Sequence, residues 1–132
     1  MEKTFVDTGI VVAVVLGEAT RDPILEETRN TSVISASSLP YEVGNALTRN
    51  VLREDITAST AREAYQLYEK MPIQLVDVNI GAGLDYALSM SDYAYDGYML
   101  EAALRHHQAR FLSLDRDLQE AAREYGLTVI DI

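Results

Sequence analysis

The chain has no cysteine, few basic residues and no long apolar run. Without cysteine, thiolate catalysis, disulfide bridges and Cys-based zinc sites are excluded, and a cytoplasmic location is the natural expectation. The apolar stretch Ile10 to Leu16 is far too short to span a bilayer. Asp7 interrupts its approach and no small-residue cleavage site follows, which speaks against a secretion signal. Lysine and arginine number 11 against 21 acids, a formal charge of −10. Taken alone, that balance argues against a phosphate-rich partner, because nucleic-acid binding normally leaves a basic footprint.

Hydrophobic residues make up 48% of the chain and charged residues 24%, a globular composition. The length suits one domain over residues 1–132, and no repeat, low-complexity tract or linker divides it. Short β-rich runs alternate with helical patterns. The pattern predicts strands at Thr4–Val6, Ser32–Ala36, Ile73–Val78 and Phe111–Leu114, the third at an edge, and a last short strand at Thr128–Ile130. The valines of Ile10–Leu16 suit strand or helix; a crossover helix is chosen because Gly17 can end it and a parallel sheet needs one. Further helices are expected from the start signal Thr20-Arg21-Asp22-Pro23 to about Arg29, from a capping serine in Ser37-Ser38-Leu39-Pro40 to about Arg53, from Thr57 to Lys70, Ile80 to Met90, Asp96 to His107 and Asp117 to Tyr125. The alternation predicts an α/β fold, a doubly wound parallel sheet with helices on both faces.

In such a fold functional groups gather outside the carboxyl ends of the strands. Asp7 follows the first strand, Glu42 opens the helix after the second, Asp96 opens the helix before the fourth, and Asp115 follows the fourth. Two carboxylates ~4 Å apart repel by roughly 4 kcal/mol at an effective dielectric near 20, so such a cluster must bind a cation or take up protons. Oxygen ligands without cysteine or a usable histidine pair favour Mg²⁺ or Mn²⁺ over zinc. A bound cation would also invert the field where a phosphate must sit, which answers the objection from net charge.

Each acid has a plainer reading as a helix cap or a dipole-favoured surface residue, and Asp117 competes with Asp115. Asp92 and Glu101 read as ordinary solvated acids, and His106-His107 as cations preferred in a last helical turn. Tyr93, Tyr95 and Tyr98 could stack on bases; core packing with a wet hydroxyl is the expectation for Tyr95 and Tyr98.

In order along the chain, Phe-Val-Asp-Thr (5–8), Tyr-Glu-Val-Gly-Asn-Ala-Leu-Thr-Arg (41–49), Tyr-Asp-Gly-Tyr-Met-Leu-Glu-Ala-Ala (95–103) and Phe-Leu-Ser-Leu-Asp-Arg-Asp-Leu (111–118) resemble the motifs of PIN-domain ribonucleases. The likeness is greatest to the toxin subunit of VapBC-type toxin-antitoxin pairs. No single motif is specific; the ordered set is. The resemblance implies a flavodoxin-like, PIN-like sheet of about five short strands, Mg²⁺- or Mn²⁺-dependent endonucleolytic cleavage of RNA, and inhibition by a small antitoxin protein. It implies an acidic quartet of Asp7, Glu42, Asp96 and Asp115 as catalytic and metal-binding residues, supported by Thr8, Asn45 and Ser113. A 5′-phosphate and a 3′-hydroxyl product follow from the same likeness.

Arg49 and Arg116, near the expected rim, are candidates for phosphate contacts. Gly97 departs from the family's usual alanine and is expected to loosen its helix; Glu101 intrudes into a normally apolar segment. Apolar residues near Tyr65, Leu67 and Tyr68 exceed what a small core hides, which with the family's habit suggests a homodimer. Two rival functions share these features. A phosphoacceptor signalling domain needs a lysine after its last strand, and residues 127–132 contain none. A catalytically silent PIN-like module would keep the fold and bind only a partner.

Overall fold

A computed structural model describes residues 1–132. Its elements, in chain order, are β1 (Lys3–Val6), α1 (Thr8–Val15), α2 (Arg21–Thr28), β2 (Ser32–Ala36), α3 (Leu39–Leu52), α4 (Ala58–Glu69), β3 (Ile73–Val76), α5 (Ile80–Met90), α6 (Ala94–Arg105), β4 (Arg110–Leu112) and α7 (Arg116–Glu124). The four strands are parallel in the order β3-β2-β1-β4, with β3 at one edge. Chain progress runs from β1 through β2 to β3 and then jumps back to β4. Right-handed crossovers therefore put α1–α4 on one face and α5–α7 on the other. Strand order reverses at β1, so the crevice of the fold opens between the carboxyl ends of β1 and β4.

The valine-rich run after Asp7 is helical because both ends are punctuated. Asp7 caps it by accepting from the Ile10 amide, and Gly17 follows at φ +67°. Ile10, Val11, Val12, Ala13 and Val15 are all buried, so this helix is apolar nearly all round. Under it Phe5 of β1 stacks on Phe111 of β4 with ring centroids 5.9 Å apart. A single apolar cluster of 26 buried residues joins the helices to the sheet.

The expected fifth strand is reduced to one bridge, Phe111 to Val129. β4 itself ends at Leu112, and just beyond it the Ser113 carbonyl accepts from the Gln119 side-chain amide at 2.6 Å. Likewise β3 ends at Val76, where Arg105 takes the Asp77 carbonyl and Glu101 takes the Asn79 amide. Glu101 is thus no solvated acid. It is 5% exposed and paired with Arg105 at 2.7 Å, tying the loop after β3 to α6.

Gly97 likewise differs from expectation. A Cβ there would collide with the Gly83 carbonyl oxygen and come within 2.8 Å of the Ala87 Cβ. Its missing side chain lets α5 and α6 approach backbone to backbone, so it tightens this helix pair rather than loosening it. Tyr68 is buried in the core and Tyr65 packs against it; of the three residues expected to form a surplus apolar surface, only Leu67 is exposed.

Candidate active site

Asp7 stands one residue past β1, in the central position of the sheet, and is 6% exposed. The Ser113 hydroxyl donates to its Oδ2 at 2.5 Å and the Ile10 amide to its Oδ1 at 3.3 Å. Burial pushes its carboxyl up to about 6, against the pull of these two donors and with a push from the charge of Asp115. Glu42, in the first turn of α3, is also buried. Thr8 donates to its Oε1 at 2.8 Å and Ser38 to its Oε2 at 2.5 Å. A serine of the Ser37-Ser38 pair stands at the N-cap of α3 as expected, but this residue, Ser38, gives its hydroxyl to Glu42 and accepts no amide through it. Desolvation raises the Glu42 carboxyl as well, and the charge of Asp7 adds to the effect.

Asp96 lies in the first turn of α6. Burial and contact with Asp92, then the charges of Asp92, Asp115 and Asp7, push it up to about 8. Asp115 caps α7, its Oδ1 accepting from the amides of Asp117 at 2.9 Å and Leu118 at 3.2 Å, which leaves Oδ2 without a protein partner. One oxygen each from Asp92, Asp96 and Asp115 lie within 4.8 Å of one another.

All four sequence-expected acids line one open cavity of about 1140 Å³, together with Asp92 and Glu18. Asn45 and Arg49 of α3 line it too. Ser113 lies behind Asp7, as its hydrogen bond requires, and Thr8 holds Glu42. Arg116, Asp117 and Glu101 are not in the lining. Arg116 starts α7 and is exposed outside the cavity lining, whereas Asp115 immediately before it caps the helix and borders the cavity. Tyr95, expected in the core, is 40% exposed at the cavity, and Tyr93 beside it is 85% exposed.

Asp92 was missed. It sits in the loop before α6, so no helical spacing ties it to Asp96. The one available signal was an acid four residues ahead of a candidate ligand. The cavity offers six carboxylates, with hydroxyl and amide oxygens beside them and neither cysteine nor histidine, an oxygen-rich donor set that fits a hard divalent cation.

The chain matches the family model described as "PIN domain" over residues 4–124. No curated protein matches it. Among solved structures it is similar to PAE2754 from Pyrobaculum aerophilum, at 19% identity and a TM-score of 0.67, with 98% of this chain and 90% of that one covered. That likeness speaks to the fold.

Proposed function

The chain belongs to the PIN domain family, whose members are generally nucleases that use acidic residues to bind divalent cations, and we propose that it is a metal-dependent endoribonuclease. The observation that carries this reading is the convergence of Asp7, Glu42, Asp92, Asp96 and Asp115 on one cavity, with Asp7 and Asp96 both held above the ordinary carboxylate range. Carboxylates crowded this closely repel one another, and a divalent cation among them would relieve that repulsion.

Asp96 and Asp115, with Asp92 beside them and Asp7 behind, are the residues that would hold Mg²⁺ or Mn²⁺. When bound, such an ion supplies Lewis-acid polarisation of a phosphodiester and an acidified water. The chain's own contribution is orientation. Ser113 and the Ile10 amide fix both oxygens of Asp7, and Thr8 with Ser38 fix both of Glu42, so neither carboxylate must reorganise during reaction. Glu42, flanked by two hydroxyls, is suited to orient water; Arg49 at the rim is suited to meet a phosphate.

The toxin role, with a protein antitoxin and a second copy of the chain as partners, rests on the ordered motifs. An exposed apolar row on α5, Ile80, Leu84 and Leu88, is in keeping with self-association. No helix is long and apolar enough to cross a membrane.

Cleavage of RNA with Mg²⁺ or Mn²⁺, abolished by chelation and by Asp96→Asn, is the expected result. Calorimetry that finds no binding of either ion, together with intact RNA after prolonged incubation, would favour the catalytically silent module.

A further inference from the structure

Tyr93 is 85% exposed, so its ring adds little to the fold, yet its backbone is pinned on both sides. The Asp92 carboxylate accepts from its amide at 2.7 Å, and its carbonyl accepts from the Asp96 amide at 3.2 Å. A bare aromatic ring is thereby presented from a rigid base at the mouth of the acidic cavity. Tyr95 beside it is propped edge-to-face on Tyr98, with centroids 5.9 Å apart and planes at 77°. The α3 side of the same cavity carries Arg49 and Arg53, one helical turn apart, and neither forms an ion pair.

We propose that Tyr93 is a stacking platform for one unpaired RNA base, while Arg49 and Arg53 bind phosphates of the same strand across the cavity. This rests on the nuclease reading and deepens it by naming what holds the strand. An exposed aromatic face accepts any base, because every base has a π surface, and two arginines bind backbone without reading sequence. Bases inside a duplex already have both faces stacked, so the platform selects a strand with a splayed base. Tyrosine loses little side-chain freedom in such a contact, having only two rotatable bonds before its ring is fixed. The two arginines also supply positive charge locally in a chain whose formal net charge is −10.

The test is single-turnover cleavage, with Mn²⁺, of a single-stranded RNA and of the same RNA carrying one abasic nucleotide at successive positions around the cut. For Tyr93→Ala the enzyme concentration giving half-maximal rate should rise roughly tenfold, the size of one base–aromatic stack, with the maximal rate little changed. Tyr93→Phe should match the wild type, as should Tyr41→Ala, which removes another exposed tyrosine that lies outside the cavity. One abasic position should erase the difference between wild type and Tyr93→Ala. Arg53→Gln should reduce the salt dependence of binding by about one phosphate contact. Identical behaviour of Tyr93→Ala and wild type on every RNA overturns the platform and leaves the nuclease reading standing. A defect that no abasic position erases also overturns it, in favour of a structural role for Tyr93. Wild-type protein that cleaves no RNA overturns both.

Discussion

The Ser113 hydroxyl donates to Oδ2 of Asp7 at 2.5 Å, joining the ends of β4 and β1 across 106 residues of sequence. This one bond spans the crevice where the strand order reverses, and it holds a buried carboxylate that also caps α1. Asp7 therefore carries opposed duties. Its hydrogen bonds favour ionisation while its burial opposes it, and burial wins.

Asp7→Asn should abolish RNA cleavage and still fold, because asparagine keeps an oxygen for the Ile10 amide. Holding a carboxyl near 6 instead of 3.8 costs on the order of 3 kcal/mol once it ionises. After allowance for the disturbed Ser113 bond, the metal-free variant should be more stable than the wild type by about 1–3 kcal/mol at pH 8. Urea denaturation in chelator measures this; a variant less stable than wild type would contradict the account of Asp7.

The pH dependence has a definite sign. Asp7 and Asp96 have folded values raised above their unfolded ones, so their contribution is fully present below about pH 4. It is lost as pH rises through about 6 for Asp7 and about 8 for Asp96. Over pH 5 to 8 these two groups should lower the melting temperature of the metal-free protein. The rise in melting temperature on adding Mn²⁺ should grow over the same interval, since the ion competes with protons for the carboxylates. Thermal scans with and without Mn²⁺ at fixed ionic strength test both trends, and an Mn²⁺ effect that shrinks with pH would refute them.

Gly97→Ala should destabilise the protein by about 3 kcal/mol or more, because the new methyl meets the Gly83 backbone and not a movable side chain. Gly44→Ala, with open space around its Cβ position, is the control and should be neutral or slightly stabilising. Denaturant midpoints for the pair decide the matter.

Glu101→Gln should cost about 1–2 kcal/mol of stability while leaving cleavage unchanged under conditions where the protein is folded. The carboxylate is buried, but Arg105 is about half exposed, and water screens much of the pair. A large loss of cleavage with intact folding would bring Glu101 into the chemistry after all.

Arg49→Ala should weaken RNA binding several-fold, in line with its place at the cavity, whereas Arg116→Ala should leave it unchanged. Titration of a labelled RNA at two salt concentrations separates the two. Equal losses would mean that the strand runs past α7.

Chain order and local chemistry alone determined the α/β alternation, the edge position of β3, and the placement of Asp7, Glu42, Asp96 and Asp115 beside strand ends or in first helical turns. These are local facts: strand and helix periods, capping residues, and a parallel topology that sends strand ends to one side. Tertiary structure decided the rest. Asp92 joins Asp96 and Asp115 only because a loop folds back, Glu101 is buried only because the β3–α5 connection lies over it, and Gly97 matters only because another helix crosses there. Arg49 and Arg116 look alike along the chain, and only one borders the cavity. Such distinctions depend on distances between residues far apart in sequence, which packing sets and no local pattern encodes.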